Sequence, residues 1–271
     1  MAQMDQERPL AGGNTSEVVR AGDTVRRSTG AWTPAVHRLL RHLERVGFDG
    51  APRVRGLDDA GREILEYVPG DVGTLTAEQP LLPWFRTAEA CRAVGVWVKD
   101  FQAAQAGYAP DPAQPWRRVP GRSLAPGDVL VHHDVSPYNT VRRDDGSLVV
   151  LDWDFACPGD PLEDLAWAAW RWVPLMAGTR WHAEYGVGPH DDGDARRRRN
   201  LAALLEGYCP TAAQRGALAE VVYRQMTVHA DSLEEMATTD VAFAALVDRG
   251  FAREAREDAA WLEQNAVRLG L

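Results

Sequence analysis

Three side chains carry the clearest chemistry in this sequence: Asp134, Asn139 and Asp152. The first two sit in "VLVHHDVSPYNTV", residues 129–141, a polar loop directly after an apolar run, and the third closes the apolar run "LVVL". Oxygen donors of this kind suit Mg²⁺, which takes one or two carboxylates, substrate phosphates and several waters. A further acid beside the ion can hold the proton of an attacking hydroxyl. Metal, base and cations on the phosphates are the parts that phosphoryl transfer needs. If the acids only capped turns, their grouping would have no explanation.

Those residues need two short strands to bring them together. The turn Asp144-Asp145-Gly146 predicts a hairpin whose outer ends place Asn139 and Asp152 side by side. Upstream, "NTSEVVRAG" and "TVRRST" read as strands joined at Ala21-Gly22-Asp23, followed by a helix from Thr33-Pro34 with Val36, Leu39, Leu40 and Leu43 on one face. Strands return at "RVRGLD" and "REILEYV", joined by the Asp58–Gly61 turn. After a Pro-bearing stretch comes the helical "TAEACRAVGVWVKDFQAAQAG", and most of the chain beyond Asp164 reads as helix, including 195–208, 211–229 and 251–267. The expected architecture is α+β and bilobal. A small antiparallel-sheet lobe, residues 1–69, would end in a hinge near 66–70, and a larger helical lobe would fill 70–271.

"HHDVSPYN" followed by "LDWDFACPGDPLEDLAW" resembles the aminoglycoside phosphotransferase and choline-kinase-like family, which shares the protein-kinase fold. The pattern His-x-Asp-x-x-x-x-Asn falls on His132, Asp134 and Asn139. Asp-Trp-Asp falls on Asp152, Trp153 and Asp154, and Gly-Asp-Pro-x-x-Asp-Leu-Ala on Gly159 to Ala166. The resemblance implies a catalytic base at Asp134, Mg²⁺ ligands at Asn139 and Asp152, and a supporting role for His132. Asp160 and Asp164 would tie the loop to the following helix. The donor would be ATP or GTP, and the acceptor a hydroxylated small molecule such as an aminoglycoside-like or other antibiotic.

The front lobe departs from that pattern. Its third strand should carry a lysine, yet that place falls on Arg26, or on Arg27 if the register shifts by one. The helix glutamate that should hold the cation falls near Val36 or His37, neither of them acidic. Lys99 is the only lysine, so an arginine in its place fits the usage of the whole chain. "GGNTS" is the candidate phosphate loop, with Thr15 and Ser16 as donors; in "LEYVPG" the backbone of Glu66 and Val68 would meet the purine edge. Trp167, Trp170, Trp172 and Trp181 either pack the helical lobe or stack on an acceptor, and Asp231, Glu234 and Glu235 either form a solvated helix face or meet an amine-bearing molecule. The odd front lobe keeps a second class open, a non-catalytic pseudokinase or immunity protein that binds its ligand without turnover.

Composition narrows the partners. A net charge of −9 argues against nucleic acid, which wants a basic face. No stretch approaches the roughly 20 apolar residues of a membrane span, and the N-terminus lacks the pattern of a secretory signal, so a cytoplasmic location is expected. Cys91, Cys157 and Cys209 lie too far apart in sequence for a metal-ligand pattern.

Overall fold

A computed structural model describes residues 7–10, 18–73, 81–111, 113–117, 125–177 and 193–271. The front lobe is an antiparallel sheet of β1 (Arg8–Pro9), β2 (Val18–Ala21), β3 (Thr24–Arg27), β4 (Val54–Leu57) and β5 (Glu63–Glu66), in spatial order β1-β2-β3-β5-β4. Gly22, at φ 63°, turns β2 into β3. In β3 and β5 Arg27 stands directly opposite Glu63, and Arg26 opposite Ile64. Successive side chains of a strand point to opposite faces. Arg27 and Glu63 are therefore buried together, while Arg26 turns to the other face and donates to Thr24 Oγ1 at 2.5 Å.

Helix α1 (Thr33–Arg45) starts with Pro34 in its first turn, where a missing N–H costs nothing. Val36, Leu39, Leu40 and Leu43 are fully buried, each contributing about 1.5–3 kcal/mol of burial energy. His37 falls on the same inward face. The chain leaves α1 through Gly47 at φ 78° and packs Phe48 edge-on against Trp97.

The back lobe is organised around α2 (Ala88–Ala104), capped by Thr87 Oγ1, which accepts from Ala90 N at 3.2 Å. Strands β7 (Val129–Val131) and β10 (Cys157–Gly159) pair antiparallel. The hairpin of β8 (Thr140–Arg142) and β9 (Leu148–Val150) is extended by β6 (Asp71–Val72). Five further helices follow: α3 (Glu163–Trp172), α4 (Gly193–Tyr208), α5 (Ala212–Ala237), α6 (Val241–Asp248) and α7 (Phe251–Leu269). Helices α2 and α4 approach closely because both carry glycine at the crossing. A Cβ at Gly95 would stand 2.3 Å from Leu204 O, and one at Gly207 2.2 Å from Arg92 O.

One hydrophobic core runs through both lobes, from Leu39 and Leu43 to Val98, Leu165 and Leu204. Gly50 O ties the lobes by accepting from Trp97 Nε1 at 2.9 Å and Val150 N at 3.0 Å. In the arginine run that opens α4, Arg197 turns inward. Its buried side chain donates to Pro174 O (3.0 Å) and Met176 O (3.1 Å), lying over Trp261. Among the described residues no helix is long and apolar enough to cross a membrane.

Candidate active site

The chain leaves β7 in a sharp turn, with His133 at φ 64°, and Asp164 makes that turn possible. From the first turn of α3, its carboxylate accepts from His132 N (2.9 Å to Oδ2) and His133 N (2.9 Å to Oδ1). Burial pushes the Asp164 carboxyl up to about 7, against the pull of those N–H groups. His132 holds the loop from behind. Its Nε2 donates to Leu151 O (3.0 Å) and its Nδ1 accepts from Asp134 N (3.2 Å), with the ring edge-on to Trp153. Full burial lowers its pKa to about 4, so the imidazole is neutral.

Asp134 projects from this turn into a ring of donors. Its Oδ1 accepts from Ser136 Oγ (2.6 Å), Tyr138 OH (3.0 Å) and Trp167 Nε1 (3.1 Å). Its Oδ2 accepts from Asn139 Nδ2 at 2.8 Å. Burial raises its pKa, and the Ser136 and Tyr138 hydroxyls and the Arg171 charge partly offset that. Three donors on one oxygen and one on the other fix the rotamer, leaving Oδ2 the less occupied.

Asn139 and Asp152 lie at adjoining ends of the β8–β9 hairpin, where Leu151 N donates to Asn139 O at 2.7 Å. Asp152 adopts φ 60°, ψ 68°. A non-glycine residue held there is strained, and such strain clusters at functional sites. The side chain is 42% exposed, against 16% for Asp154 and 2% for Glu63, so of the three acids around Arg27 it is the one open to solvent. Nearby burial works against its charge, but Arg27 holds its pKa below the usual carboxylate range. Asn139 donates its amide nitrogen to Asp134, which turns its amide oxygen away from that carboxylate; among the described residues no donor reaches that oxygen. An exposed carboxylate beside a free amide oxygen fits Mg²⁺, which needs few protein ligands.

Arg27 enters from the front lobe. Its Nε donates to Glu63 Oε1, Nη1 to Asp152 Oδ1 at 2.7 Å and Nη2 to Asp154 Oδ1 at 2.6 Å. Burial alone would lower its pKa; Asp154, Asp152 and Glu63 reverse the sign and raise it. Glu63 Oε2 meets His37 Nε2 at 2.8 Å. Asp154 also meets Arg117 at 3.4 Å, whose guanidinium lies 4.3 Å from the Trp32 ring and 4.8 Å from that of Phe155. Arg27 and Arg117 thus face four carboxylates, Glu63, Asp152, Asp154 and, at 3.8 Å from Arg117, Asp240, so the negative charge is in excess.

Of the residues expected to do chemistry, Asp134, Asn139 and Asp152 come together. The inward cation is Arg27; Arg26 is corrected to the outward face by the strand's alternation. No acid stands at the expected helix position; the carboxylate that meets Arg27 Nε is Glu63 from β5, with His37 of α1 behind it. The parity of "EIL", placing Glu63 with buried Leu65, could have revealed it. Thr15, Ser16 and Trp181 lie outside the described residues. At the expected hinge, Glu66 N donates to Arg53 O at 2.8 Å and Tyr67 N to Asp23 O, whereas Val68 has no backbone partner among the described residues. Val68 packs its side chain on Val141 and Val149. Trp167, Trp170 and Trp172 are buried core, with indole N–H groups directed to Asp134, Asp258 and Val135 O. Of the acids suggested for an amine, Asp231 and Glu234 are occupied by Arg256 at 2.8 and 2.7 Å.

A two-lobed α+β fold whose cleft gathers an acid, an amide and a strand-end acid beneath a buried arginine is that of the kinase-like phosphotransferases. It is similar to the choline kinase of Cryptosporidium parvum Iowa II (TM-score 0.56, 10% identity, 98% of this chain and 90% of that one). It is also similar to ADP-bound aminoglycoside phosphotransferase APH(2'')-Ib (TM-score 0.54, 14% identity, 96% and 95% covered). A third match is spectinomycin phosphotransferase APH(9)-Ia in complex with ADP and spectinomycin (TM-score 0.53, 12% identity, 96% and 94%). At such identities these likenesses establish the fold. The sequence model of the phosphotransferase enzyme family matches residues 97–201. A trifolitoxin immunity protein of Rhizobium leguminosarum bv. trifolii is 32% identical over 241 residues, 87% of each chain. The chain belongs to this phosphotransferase family.

Proposed function

We propose that this protein transfers the γ-phosphoryl group of ATP or GTP to a hydroxyl of a small antibiotic or toxin, and so protects the cell that makes it. The observation that carries the reading is the grouping of Asp134, Asn139 and Asp152 with a buried front-lobe arginine. Asp134 Oδ2 would take up the acceptor hydroxyl's proton while the other oxygen stays fixed by its three donors. Arg27 directs three of the five N–H groups of a guanidinium at carboxylates, leaving two for phosphate oxygens. Asn139 and Asp152 would hold Mg²⁺, which neutralises charge on the transferring phosphates. The backbone of Glu66 and Val68 would meet the purine, and Thr15 and Ser16 the phosphates. Catalysis on this reading is positioning and charge compensation.

The relative's role as an immunity protein favours a toxin or antibiotic as acceptor. Pairing of Asp231 and Glu234 with Arg256 weakens the case for a polycationic, aminoglycoside-like acceptor. A second reading, sequestration without turnover, has one observation in its favour: Arg27 already occupies an oxygen of Asp152. Incubation with Mg²⁺, ATP or GTP and a panel of hydroxylated antibiotics and peptide toxins, read by mass spectrometry, separates the two. A gain of one phosphoryl group on an acceptor supports the kinase. Tight binding with no product supports sequestration.

A further inference from the structure

Where the family resemblance leads one to expect a lysine held by a helix acid, the front lobe carries Arg27, and a different cation demands a different means of holding it. An ammonium is a single point with three donors; a guanidinium is a planar fork whose direction is set by what grips its root. Here the root nitrogen, Nε, donates to Glu63, the residue directly opposite Arg27 across the β3–β5 ladder. Both terminal nitrogens then point away from the sheet toward Asp152 and Asp154. Position 37 on α1 faces the same group, but its imidazole meets the outer oxygen of Glu63 rather than the cation. Glu63 is thereby held from both sides, with 2% of its side chain exposed.

We propose that Glu63, braced by His37, is the positioning carboxylate of Arg27, aiming the two terminal nitrogens at the nucleotide phosphates. The inference rests on reading Arg27 as the phosphate cation. It assigns α1 a new role: the helix acts on the cation through a strand carboxylate, so any movement of α1 reaches the phosphates through two hydrogen bonds in series.

The test is the affinity of the intact chain for Mg²⁺-ADP and Mg²⁺-ATP by titration calorimetry. Glu63→Gln keeps the shape and removes the charge; its affinity should fall roughly ten- to a hundredfold, as for loss of a hydrogen bond to a charged group. In an Arg27→Ala background the same change should cost nothing further, because Glu63 acts only through Arg27. His37→Gln, which still offers an N–H at the end of a side chain of similar reach, should keep affinity near wild type, and His37→Leu should lose it. A merely structural Glu63 would lower the melting temperature and leave affinity alone, or weaken it equally with and without Arg27; either result overturns the proposal. Should Glu63→Gln fail to fold, the His37→Gln and His37→Leu pair decides, and equal affinities sink it. A wild-type chain that binds neither nucleotide overturns this inference and the kinase reading together, whereas normal wild-type binding with an unaffected Glu63→Gln overturns this inference alone.

Discussion

Around Asp134 a charge is held by neutral groups; around Arg27 a charge is held by other charges. The loop carboxylate meets two hydroxyls, an indole and an amide, none of which cancels it. The front-lobe guanidinium meets three carboxylates, each partly neutralised by it. Neutral donors fix a group while leaving its charge available for a proton, which suits a base. Mutual charges are costly to bury and costlier to break singly, since the partner left behind is uncompensated. Removing a group from the loop should therefore show mainly in rate, and removing one from the hub in stability and binding as well.

The sharpest test of that contrast is Asp134→Asn. With the acceptor found by the panel, the rate should fall about 10²–10⁴-fold, the range for general-base catalysis, with nucleotide affinity little changed by calorimetry. Equal losses in rate and nucleotide affinity would mean that Asp134 belongs to the binding site, and the contrast would collapse. Arg27→Lys should behave oppositely. An ammonium cannot reach three separate carboxylates, so urea denaturation should show a large part of the roughly 3–5 kcal/mol lost when a buried pair loses one partner. Nucleotide affinity should fall with it. An Arg27→Lys variant as stable as the wild type would show that the three acids do not depend on the fork.

The two halves were also unequally legible. The loop, the hairpin and the helix behind them lie within one contiguous stretch, and local spacing is enough to bring Asp134, Asn139 and Asp152 together. So the α+β two-lobed fold and the nearness of these three candidate residues could be read directly. The hub joins residues from β3, α1, β5 and the end of β9, and no spacing in the sequence links Arg27 to Glu63, 36 residues on. Only the sheet register does, and a shift of one residue reverses every side chain's face. That is how Arg26 and Arg27 could be confused. The tryptophans stayed open for another reason: sequence registers an indole but not its burial, so Trp167 could read as an acceptor platform or as core packing, and the structure makes it core with its N–H on Asp134.

Asp164→Asn probes how the loop is supported. His132 and Asp164 oppose one another between pH 4 and 6.5. His132 is neutral in the fold down to about 4, so it makes folding less favourable as the pH falls through that range, where the unfolded chain binds the proton. Asp164, pushed up to about 7, binds its proton in the fold and acts in the opposite direction. Asn at 164 removes that counterweight. Relative to wild type, its stability should fall by about 1.4 kcal/mol for each pH unit between 6.5 and 4, about 3 kcal/mol in all. Denaturation series at four or five pH values would measure it. Parallel curves would mean that the backbone N–H bonds keep Asp164 ionised despite its burial.

Trp167→Phe is the smallest change and the most specific to the loop. Phenylalanine keeps an aromatic ring in the core but removes the N–H that reaches Asp134 Oδ1 at 3.1 Å and Ser136 Oγ at 2.9 Å. Two donors, Ser136 and Tyr138, would still hold Oδ1, so the carboxylate should loosen without being released. A hydrogen bond to a charged group is worth about 1.5–3 kcal/mol when lost outright, and with this sharing a rate loss of roughly tenfold is expected. Nucleotide affinity should stay at the wild-type value, because no part of the Arg27 hub is touched. If affinity falls instead, the indole is acting through the cleft as a whole, and the division between a loop that governs rate and a hub that governs binding fails at Trp167.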